Sequence, residues 1–362
     1  MKLFPALEKT YTKEQRSALQ AQRLAHEISF GPVVFQASRL IVKFGIMQLL
    51  IDSGDGLTVG EVAEKTGLSH YAVQVLLESS LTVGTTLCTG DRFTASKAGW
   101  FLLNDPMVQV NMAFNHDVNY QGLFRLEEAL LNGAPEGLKV FGDWKTIYEG
   151  LSELPAQVQK SWFDFDHYYS DEAFDEALKV VFAGQPRTLL DVGGNTGRWA
   201  LRCVDYSDEI QVTIMDLPAQ LEMMKQHTAG RKGAERISGH GVDLLDRTVP
   251  FPAGFDIVWM SQFLDCFPDE EVTSLLARAA DSMDDGATLF IMETFWDRQR
   301  LETAAYCLTQ ISLYFTAMAN GNSKMYHSED MMRCVDAAGL KIEKIIDGLG
   351  KAHSLVVCKK KQ

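Results

Sequence analysis

The sequence predicts an α/β protein built from an α-helical winged-helix domain followed by a doubly wound domain with a mainly parallel sheet. Two observations predict it: a helix, turn, helix and hairpin pattern over residues 58–103, and apolar strand-like runs alternating with helices from Arg187 onward. A chain of 362 residues with 46% apolar side chains is long enough for two cores. We assign residues 1–110 to the first domain and residues 111–362 to the second, which opens with a helical linker layer over 111–180.

The net charge and the cysteine spacing limit the classes of partner that the protein can have. A formal net charge of −14 opposes binding to nucleic acid or anionic lipid. The N-terminus lacks the apolar run of a signal peptide, and the apolar stretches are too short or too charged to span a bilayer. The six cysteines show no C-x-x-C spacing. We therefore expect a cytoplasmic protein with reduced thiols, no metal, no nucleic-acid partner and no membrane segment.

The first element is a helix predicted over residues 12–29, with Leu19, Leu24 and Ile28 on one apolar face. A lone amphipathic helix needs a partner surface. A second subunit would supply one, which makes the N-terminal helices the predicted homodimer interface. Docking of the same face on its own chain would leave an identical sequence pattern.

The winged-helix pattern begins with a capping box from Thr58 to Glu61, and Ser69 is the predicted cap of the second helix. Two strands turning at residues 89–91 complete the pattern. DNA binding and structural support are the competing interpretations. Residues 69–83, the candidate recognition helix, contain no lysine or arginine, which favours support.

Residues 106–180 are rich in aromatic and amide side chains on helix-compatible runs. About half of the rings fit an apolar interface, and the others fit the wall of an aromatic substrate pocket. The candidates for substrate binding here are His116, Tyr120, Phe163 and His167. A lone histidine such as His116 is also typical of a satisfied interface residue.

Four apolar runs rich in β-branched and aromatic residues predict the strands of the second domain, at residues 188–192, 211–216, 255–259 and 287–292. The first strand ends in Asp191-Val192-Gly193-Gly194-Asn195-Thr196-Gly197, and a helix starts at Arg198. Asp216 ends the second strand, where a carboxylate can accept hydrogen bonds from a ribose diol. Asp243 falls at a third strand end, where it can accept from an adenine amino group.

These motifs, with Met215-Asp216-Leu217-Pro218, Asp243-Leu244-Leu245 and Asp269-Glu270-Glu271, give the chain its resemblance to a known family. It resembles the class I S-adenosylmethionine-dependent O-methyltransferases of the plant caffeate and bacterial polyketide type, over nearly its whole length. The resemblance implies a Rossmann-like methyltransferase domain, S-adenosylmethionine as cofactor with S-adenosylhomocysteine as product, and a homodimer. The cofactor-binding residues it implies are Asp191, Gly193, Gly194, Gly197, Asp216, Leu217, Asp243, Leu244 and Ser261.

Two positions depart from the family pattern. Ser261 stands where many members have a lysine, which removes a cation near the nucleotide. Asp265 stands where plant members carry the histidine base that deprotonates a phenol. An exposed carboxylate with a pKa near ~4 is a poor base for a phenol near ~10, so Asp265 would need burial or a neighbouring anion.

Several catalytic assignments therefore remain open. We expect Asp265 to act as base or to orient the nucleophilic oxygen, with His167, His116 and Glu293 as alternatives. Asp265 would equally stabilise the helix that starts near Pro268. Cys266 is predicted to be packing.

The family's acceptor-site loop corresponds to residues 315–330. Lys324 lies at about the sequence position where family members have an arginine, which would place it in the acceptor site. A solvated surface lysine fits the sequence equally well. Ser328 is the predicted cap of a helix that ends at Gly339.

The sequence thus predicts methylation of a small aromatic or polyketide-like hydroxyl compound by in-line displacement. Two alternatives keep the fold: transfer to nitrogen or carbon, and a relative that methylates nothing. A third belongs to another class, a winged-helix transcription regulator that senses a metabolite.

Overall fold

The computed structural model describes residues 3–361, which divide into two compact units. The N-terminal unit comprises residues 14–117. The catalytic unit, as we call the other, joins the segment up to Lys13 to the chain from Val118 onward. A short helix, α1 (Pro5–Tyr11), therefore belongs to the catalytic unit.

The N-terminal unit is helical apart from one hairpin. Its elements are α2 (Ala18–Ser29), α3 (Gly31–Lys43), α4 (Ile46–Asp52), α5 (Val59–Thr66), α6 (His70–Val83), β1 (Thr86–Thr89), β2 (Arg92–Ala95), α7 (Lys97–Asn104) and α8 (Pro106–Phe114). Strands β1 and β2 pair antiparallel. The division between the units follows Asp117, beyond the expected residue 110, because α8 packs against α7.

The predicted helix caps of this unit are confirmed. Thr58 Oγ1 accepts a hydrogen bond from the backbone N–H of Glu61 at 3.2 Å, and the Glu61 carboxylate accepts from the Thr58 N–H at 2.8 Å. Ser69 Oγ accepts from the Ala72 N–H at 3.1 Å. These bonds satisfy N–H groups that a helix start leaves unpaired, so they fix where α5 and α6 begin.

Helix α2 starts at Ala18, later than the predicted residue 12. The reason is a capping box that the sequence reading missed, in which Ser17 and Gln20 bond each other's backbone N–H groups. Leu19 is 78% exposed and Ile28 is 70% exposed, whereas the core of the unit is built from α3 to α6. On the apolar face of α2, Leu24 is partly buried, whereas the described residues leave Leu19 and Ile28 uncovered.

The catalytic unit continues with a helical layer and a seven-stranded sheet. The layer consists of α9 (Leu126–Asn132), α10 (Ile147–Gly150), α11 (Ala156–Ser170) and α12 (Phe174–Val181). The remaining elements are β3 (Thr188–Val192), α13 (Arg198–Tyr206), β4 (Gln211–Asp216), α14 (Pro218–Thr228), β5 (Ile237–Gly241), β6 (Ile257–Ser261), α15 (Asp269–Ser282), β7 (Thr288–Glu293), α16 (Glu302–Tyr314), α17 (Ser328–Ala337), β8 (Leu340–Leu349) and β9 (His353–Lys360).

The strand order is β5-β4-β3-β6-β7-β9-β8. Strands β3 to β7 pair in parallel, and the C-terminal hairpin of β8 and β9 adds to β7 antiparallel. The expected mainly parallel sheet is confirmed, with two strands at residues 188–192 and 211–216 as predicted. Strand β5 ends at Gly241, so Asp243 follows the strand and does not close it.

Both faces of the sheet are buried. Leu190 belongs to the apolar cluster on one face and Leu189 to the cluster on the other, because consecutive strand side chains point in opposite directions. The chain order reverses between β3 and β6, where connections leave for opposite sides. At such a switch point the carboxyl ends of the strands border an open crevice.

The predicted cap of α17 is wrong by one residue. The His327 ring accepts from the Glu329 N–H at 3.1 Å and so caps the helix. Ser328 instead donates through its N–H and its hydroxyl to the two oxygens of Asp297, at 2.7 and 2.6 Å. The buried carboxylate of Asp297 thus competes successfully for the serine.

Across residues 3–361, no single helix is long and apolar enough to cross a bilayer. Helices α3 and α4, bent by 62° relative to each other, pass this test only as a pair, on length and composition.

Candidate active site

The glycine turn after β3 forms the floor of the crevice. The Gly193 N–H donates to the Met215 carbonyl at 2.9 Å, which ties the turn to β4. Gly193 has φ +72°, and a Cβ there would lie 2.2 Å from the Phe263 ring. Only glycine meets both the backbone conformation and the close approach. Asn195 also adopts a left-handed conformation, with φ +48°, which is uncommon for a residue with a side chain.

Asp216 stands at the end of β4 beside this turn and is buried. Its Oδ2 accepts from the Asn195 N–H at 2.9 Å, and its Oδ1 accepts from the Leu217 N–H at 2.7 Å. Burial raises the pKa of Asp216, and these two backbone hydrogen bonds oppose the rise. Each oxygen keeps a further lone pair, so the fixed carboxylate can accept from a ligand diol.

A cleft opens above the glycine turn, between the ends of β3 and β6 and the helices α11 and α13. Its lining residues are Asp166, His167, Asp171, Phe174, Asp191, Gly193, Gly194, Asn195, Thr196, Arg198, Trp199, Trp259, Ser261 and Gln262. The structure thus brings together five residues predicted from the sequence: Asp191, Gly193, Gly194, Ser261 and His167. Asp216 adjoins them through its bond to Asn195.

Buried polar atoms with no hydrogen-bond partner within the described chain concentrate in this cleft. They are Asp191 Oδ2, Asn195 Oδ1, Trp199 Nε1, Trp259 Nε1 and Gln262 Oε1. Buried polar groups in proteins are almost always paired, so a group of orphans along one wall indicates that the wall faces a polar ligand. Burial, and then the charge of Asp216, raise the pKa of Asp191 to about 8.

Asp265 and Glu293 form a buried carboxyl pair at the ends of β6 and β7. Glu293 Oε1 accepts from the backbone N–H groups of Phe263 at 3.1 Å and Leu264 at 2.9 Å, which holds the turn that presents Asp265. Burial raises the pKa of Asp265 to about 7, against hydrogen bonds from the Cys266 thiol and the backbone. Burial, and then the charge of Asp265, raise the pKa of Glu293.

Helix α11 presents His167 to the cleft. The ring stacks on Phe163 with a centroid distance of 5.7 Å, and its Nδ1 lies 3.6 Å from Asp166 Oδ2. Burial, and then the positive charge of Arg198, lower the pKa of His167 to about 4. Burial, and then the charge of Asp265, raise the pKa of Asp166 to about 7. At neutral pH the imidazole is therefore uncharged.

The remaining predicted cofactor residues lie around the crevice. Gly197, with φ +80°, immediately precedes α13 and packs near Met224 of α14. Asp243 is exposed, and its Oδ1 accepts from the Leu245 N–H at 2.9 Å. Leu244 is 6% exposed and belongs to the apolar cluster on one face of the sheet.

The predicted substrate residues are more scattered. His116 belongs to the N-terminal unit, where Gln36 Nε2 lies 3.3 Å from its Nδ1. Tyr120 is half-buried and does not line the cleft. Lys324 pairs with Asp330 at 3.0 Å and lies 5.3 Å from the centre of the Tyr326 ring, the position of a surface lysine.

Several residues of the site were missed from the sequence. Trp162 Nε1 donates to the Tyr314 hydroxyl at 2.7 Å, and Tyr148 contacts the Trp162 ring edge and hydrogen-bonds Cys266. These rings surround the Asp265 turn and belong to three separate helices, so no local spacing indicated them. Arg198 had a local signal, because it directly follows the glycine motif.

The fold and the site together define an α/β protein that binds a nucleotide-like ligand. The defining features are a glycine turn, an acidic strand end beside it, and a cleft at the switch point of a mainly parallel sheet. The profile of the O-methyltransferase domain family matches residues 155–341, half of the chain. The chain belongs to this family and is an S-adenosylmethionine-dependent methyltransferase. The Dimerisation2-like domain matches residues 22–93, within the N-terminal unit.

Individual relatives are distant but span most of the chain. L-tyrosine C(3)-methyltransferase of Streptomyces lavendulae is 23% identical and is aligned over 87% of this chain and 86% of its own length. Demethylspheroidene O-methyltransferase of Rhodobacter capsulatus is 24% identical, over 86% of this chain and 75% of its own. The solved structure of the S-adenosylmethionine-dependent methyltransferase SibL shares the fold, with a TM-score of 0.69, 22% identity and coverage of 93% and 98%.

The cleft fits S-adenosylmethionine chemically. The Asp216 carboxylate suits a ribose diol, the orphan donors of Trp199 and Trp259 suit a carboxylate, and Asp191 suits an ammonium group. No cluster of three or more His, Cys, Asp or Glu side chains with metal-binding geometry occurs in the part of the chain described.

Proposed function

We propose that this methyltransferase acts on a hydroxyl group of a small aromatic or polyketide-like compound, with Asp265 as the group that accepts the hydroxyl proton. The observation that carries the proposal is the buried position of Asp265. An ordinary aspartate is too acidic to serve a phenol, whereas burial raises the pKa of this one to about 7.

The cofactor residues follow from the same geometry. Asp216 would hold the ribose, the backbone of Gly193 and Gly194 would lie against the methionine end, and Asp243 would accept from the adenine amino group. Gly197 and Leu217 act through the backbone that shapes the turn, and Ser261 lines the cleft. Bound S-adenosylmethionine supplies a methyl group on a positively charged sulfur, which leaves as a neutral thioether.

The acceptor residues would complete the reaction. The Asp265 carboxylate would take the phenol proton while the phenol oxygen receives the methyl group that the cofactor supplies. Glu293 holds the Asp265 turn through its two backbone hydrogen bonds. Phe163 and neutral His167 offer a stacking face for an aromatic ring.

The test is product analysis with a panel of phenols, hydroxyquinones and matched compounds lacking the hydroxyl. We expect a single added methyl group on oxygen, seen by mass spectrometry and assigned by carbon NMR. Failure of every hydroxyl compound, with methylation of amines instead, would overturn the proposal.

Transfer to an aromatic carbon is a second candidate, because the relative from Streptomyces lavendulae is named as a C(3)-methyltransferase. A ring carbon beside a hydroxyl becomes nucleophilic once the hydroxyl is ionised, so Asp265 would serve both reactions. The NMR assignment in the same experiment separates them, since a C-methyl product retains a free hydroxyl.

We further propose a homodimer in the cytoplasm that forms through the exposed apolar face of α2. Leu19 and Ile28 of α2, and Val33 near the start of α3, are each more than half exposed. They lie within or beside the segment 22–93 that matches the Dimerisation2-like domain. Light scattering should show a dimer for the wild type and a monomer for Leu19→Glu combined with Ile28→Glu. Leu131→Glu, an exposed leucine of the catalytic unit, is the control and should remain dimeric.

A further inference from the structure

Arg198 is the single lysine or arginine among the described residues that line the cleft. It is the first residue of α13, directly after the glycine turn. Its Nη1 donates to Asp171 Oδ2, and the two side chains are 38% and 35% exposed. The pair is therefore held in place and still within reach of a ligand.

The surroundings of Arg198 are strongly acidic. Asp166, Asp171 and Asp191 line the same cleft. These carboxyl groups offer a ligand carboxylate no positive charge, so it would need a cation such as Arg198 to bind there. Ser261, at the end of β6, also lines the cleft and carries no charge.

A second and independent observation indicates a polar ligand at this end of the cleft. Asp191 is 3% exposed, Trp259 is fully buried, and neither Asp191 Oδ2 nor Trp259 Nε1 has a hydrogen-bond partner among the described residues. Trp199, the residue after Arg198, stacks on Trp259 at 4.1 Å and carries a third unpartnered polar atom. Acceptor and donor atoms therefore lie side by side, which suits a ligand with both an ammonium group and a carboxylate.

We propose that Arg198 binds the carboxylate of the methionine part of S-adenosylmethionine. A guanidinium carries five N–H donors, so the bond to Asp171 leaves others for the ligand. Asp171 is the positioning residue that aims the guanidinium. The inference rests on the proposed placement of S-adenosylmethionine in this cleft.

The experiment measures binding by calorimetry for two ligands that differ in the amino acid part. S-adenosylhomocysteine carries the carboxylate, and methylthioadenosine has the same nucleoside and thioether without it. Arg198→Met should weaken S-adenosylhomocysteine by roughly 10- to 100-fold, the range for loss of a charge-assisted hydrogen bond, and should leave methylthioadenosine within about twofold. Arg198→Lys should recover part of the loss.

Arg202→Met is the matched control. Arg202 lies one turn further along α13, pairs with Asp175 and is outside the cleft lining. It should bind both ligands as the wild type does. Retained binding of methylthioadenosine by Arg198→Met also shows that this variant is folded.

A measurement on the wild type covers the case in which Arg198→Met does not fold. The carboxamide analogue of S-adenosylhomocysteine lacks the negative charge that Arg198 would bind. Its affinity for the wild type should therefore be no higher than the affinity of S-adenosylhomocysteine for Arg198→Lys. Equal affinity for the acid and the amide would overturn the inference, as would equal weakening of both ligands in Arg198→Met. A wild type that binds neither nucleoside would overturn the proposed function itself.

Discussion

The proposed cofactor half and the proposed acceptor half of the site hold their carboxylates in different ways. At the cofactor half, Asp216 accepts two backbone N–H bonds that fix it and favour its charged form. At the acceptor half, Asp265 is buried beside a second carboxyl group, Glu293, and its pKa rises to about 7. The first arrangement suits a permanent hydrogen-bond acceptor, and the second suits a group that exchanges a proton.

The largest expected effect tests the acceptor half. Asp265→Asn should lower kcat by about 100- to 1000-fold, because the amide cannot accept the hydroxyl proton. S-adenosylhomocysteine binding, measured by calorimetry, should be unchanged. Asp164→Asn, at an exposed acid of the same helix as His167, is the control with wild-type kcat. Full activity of Asp265→Asn would contradict the proposed role of Asp265. Catalysis would then come only from the alignment of the acceptor oxygen with the methyl group.

The converse change tests the cofactor half. Asp216→Ala should weaken S-adenosylhomocysteine by about 100-fold, since it removes the proposed ribose acceptor and leaves two backbone N–H groups unpaired. Asp208→Ala, an exposed acid on the loop before β4, should bind normally. If Asp216→Ala bound the ligand as tightly as the wild type, the assignment of this half would be wrong.

The pH dependence of kcat sharpens the comparison. Asp265 accepts a proton only when ionised, so kcat should fall about tenfold per pH unit below its pKa of about 7 and level off above it. His167→Gln should keep this limb, because the pKa of His167 lies at about 4. A limb that disappears in His167→Gln and survives in Asp265→Asn would reverse the two roles.

The fold itself is expected to lose stability in acid, and this loss must be separated from the fall in kcat below pH 7. The expected source of the stability loss is His353. Burial lowers the pKa of His353 from 6.5 to about 4, and neither ring nitrogen has a partner in the described chain. The folded state therefore binds fewer protons, so its stability is complete above about 6.5 and falls as the pH drops toward 4. Between pH 7.5 and 5 the loss should be about 2 kcal/mol.

Urea unfolding at the two pH values measures this loss. His353→Leu should abolish most of it, and His240→Leu, at an exposed histidine of β5, should retain it. A wild type equally stable at both pH values would contradict the assignment.

The sequence indicated which residues of the proposed cofactor half lie close together better than it did for the proposed acceptor half, for a physical reason. The glycine turn and Asp216 follow buried strands, and the ends of adjacent parallel strands meet at one edge of the sheet. Order along the chain therefore translates directly into proximity. The bounds of β3 and β4 came out as predicted for the same reason.

The acceptor half is assembled from side chains that are distant in sequence. The bond from Trp162 to Tyr314 joins two helices more than a hundred residues apart, and no spacing rule connects them. Chemistry alone requires that Asp265 be buried, or lie beside an anion, if it is to act as a base. Whether it is buried depends on packing between elements, which the sequence does not reveal. The cap at His327 shows the same limit, since it depends on Asp297 from another loop.

The stacked indoles of Trp199 and Trp259 give the molecule a built-in optical reporter. Their emission depends on the polarity and hydrogen bonding around each ring, and both residues line the cleft. Filling the cleft would change both at once, so ultraviolet fluorescence can follow occupancy in real time without any added label.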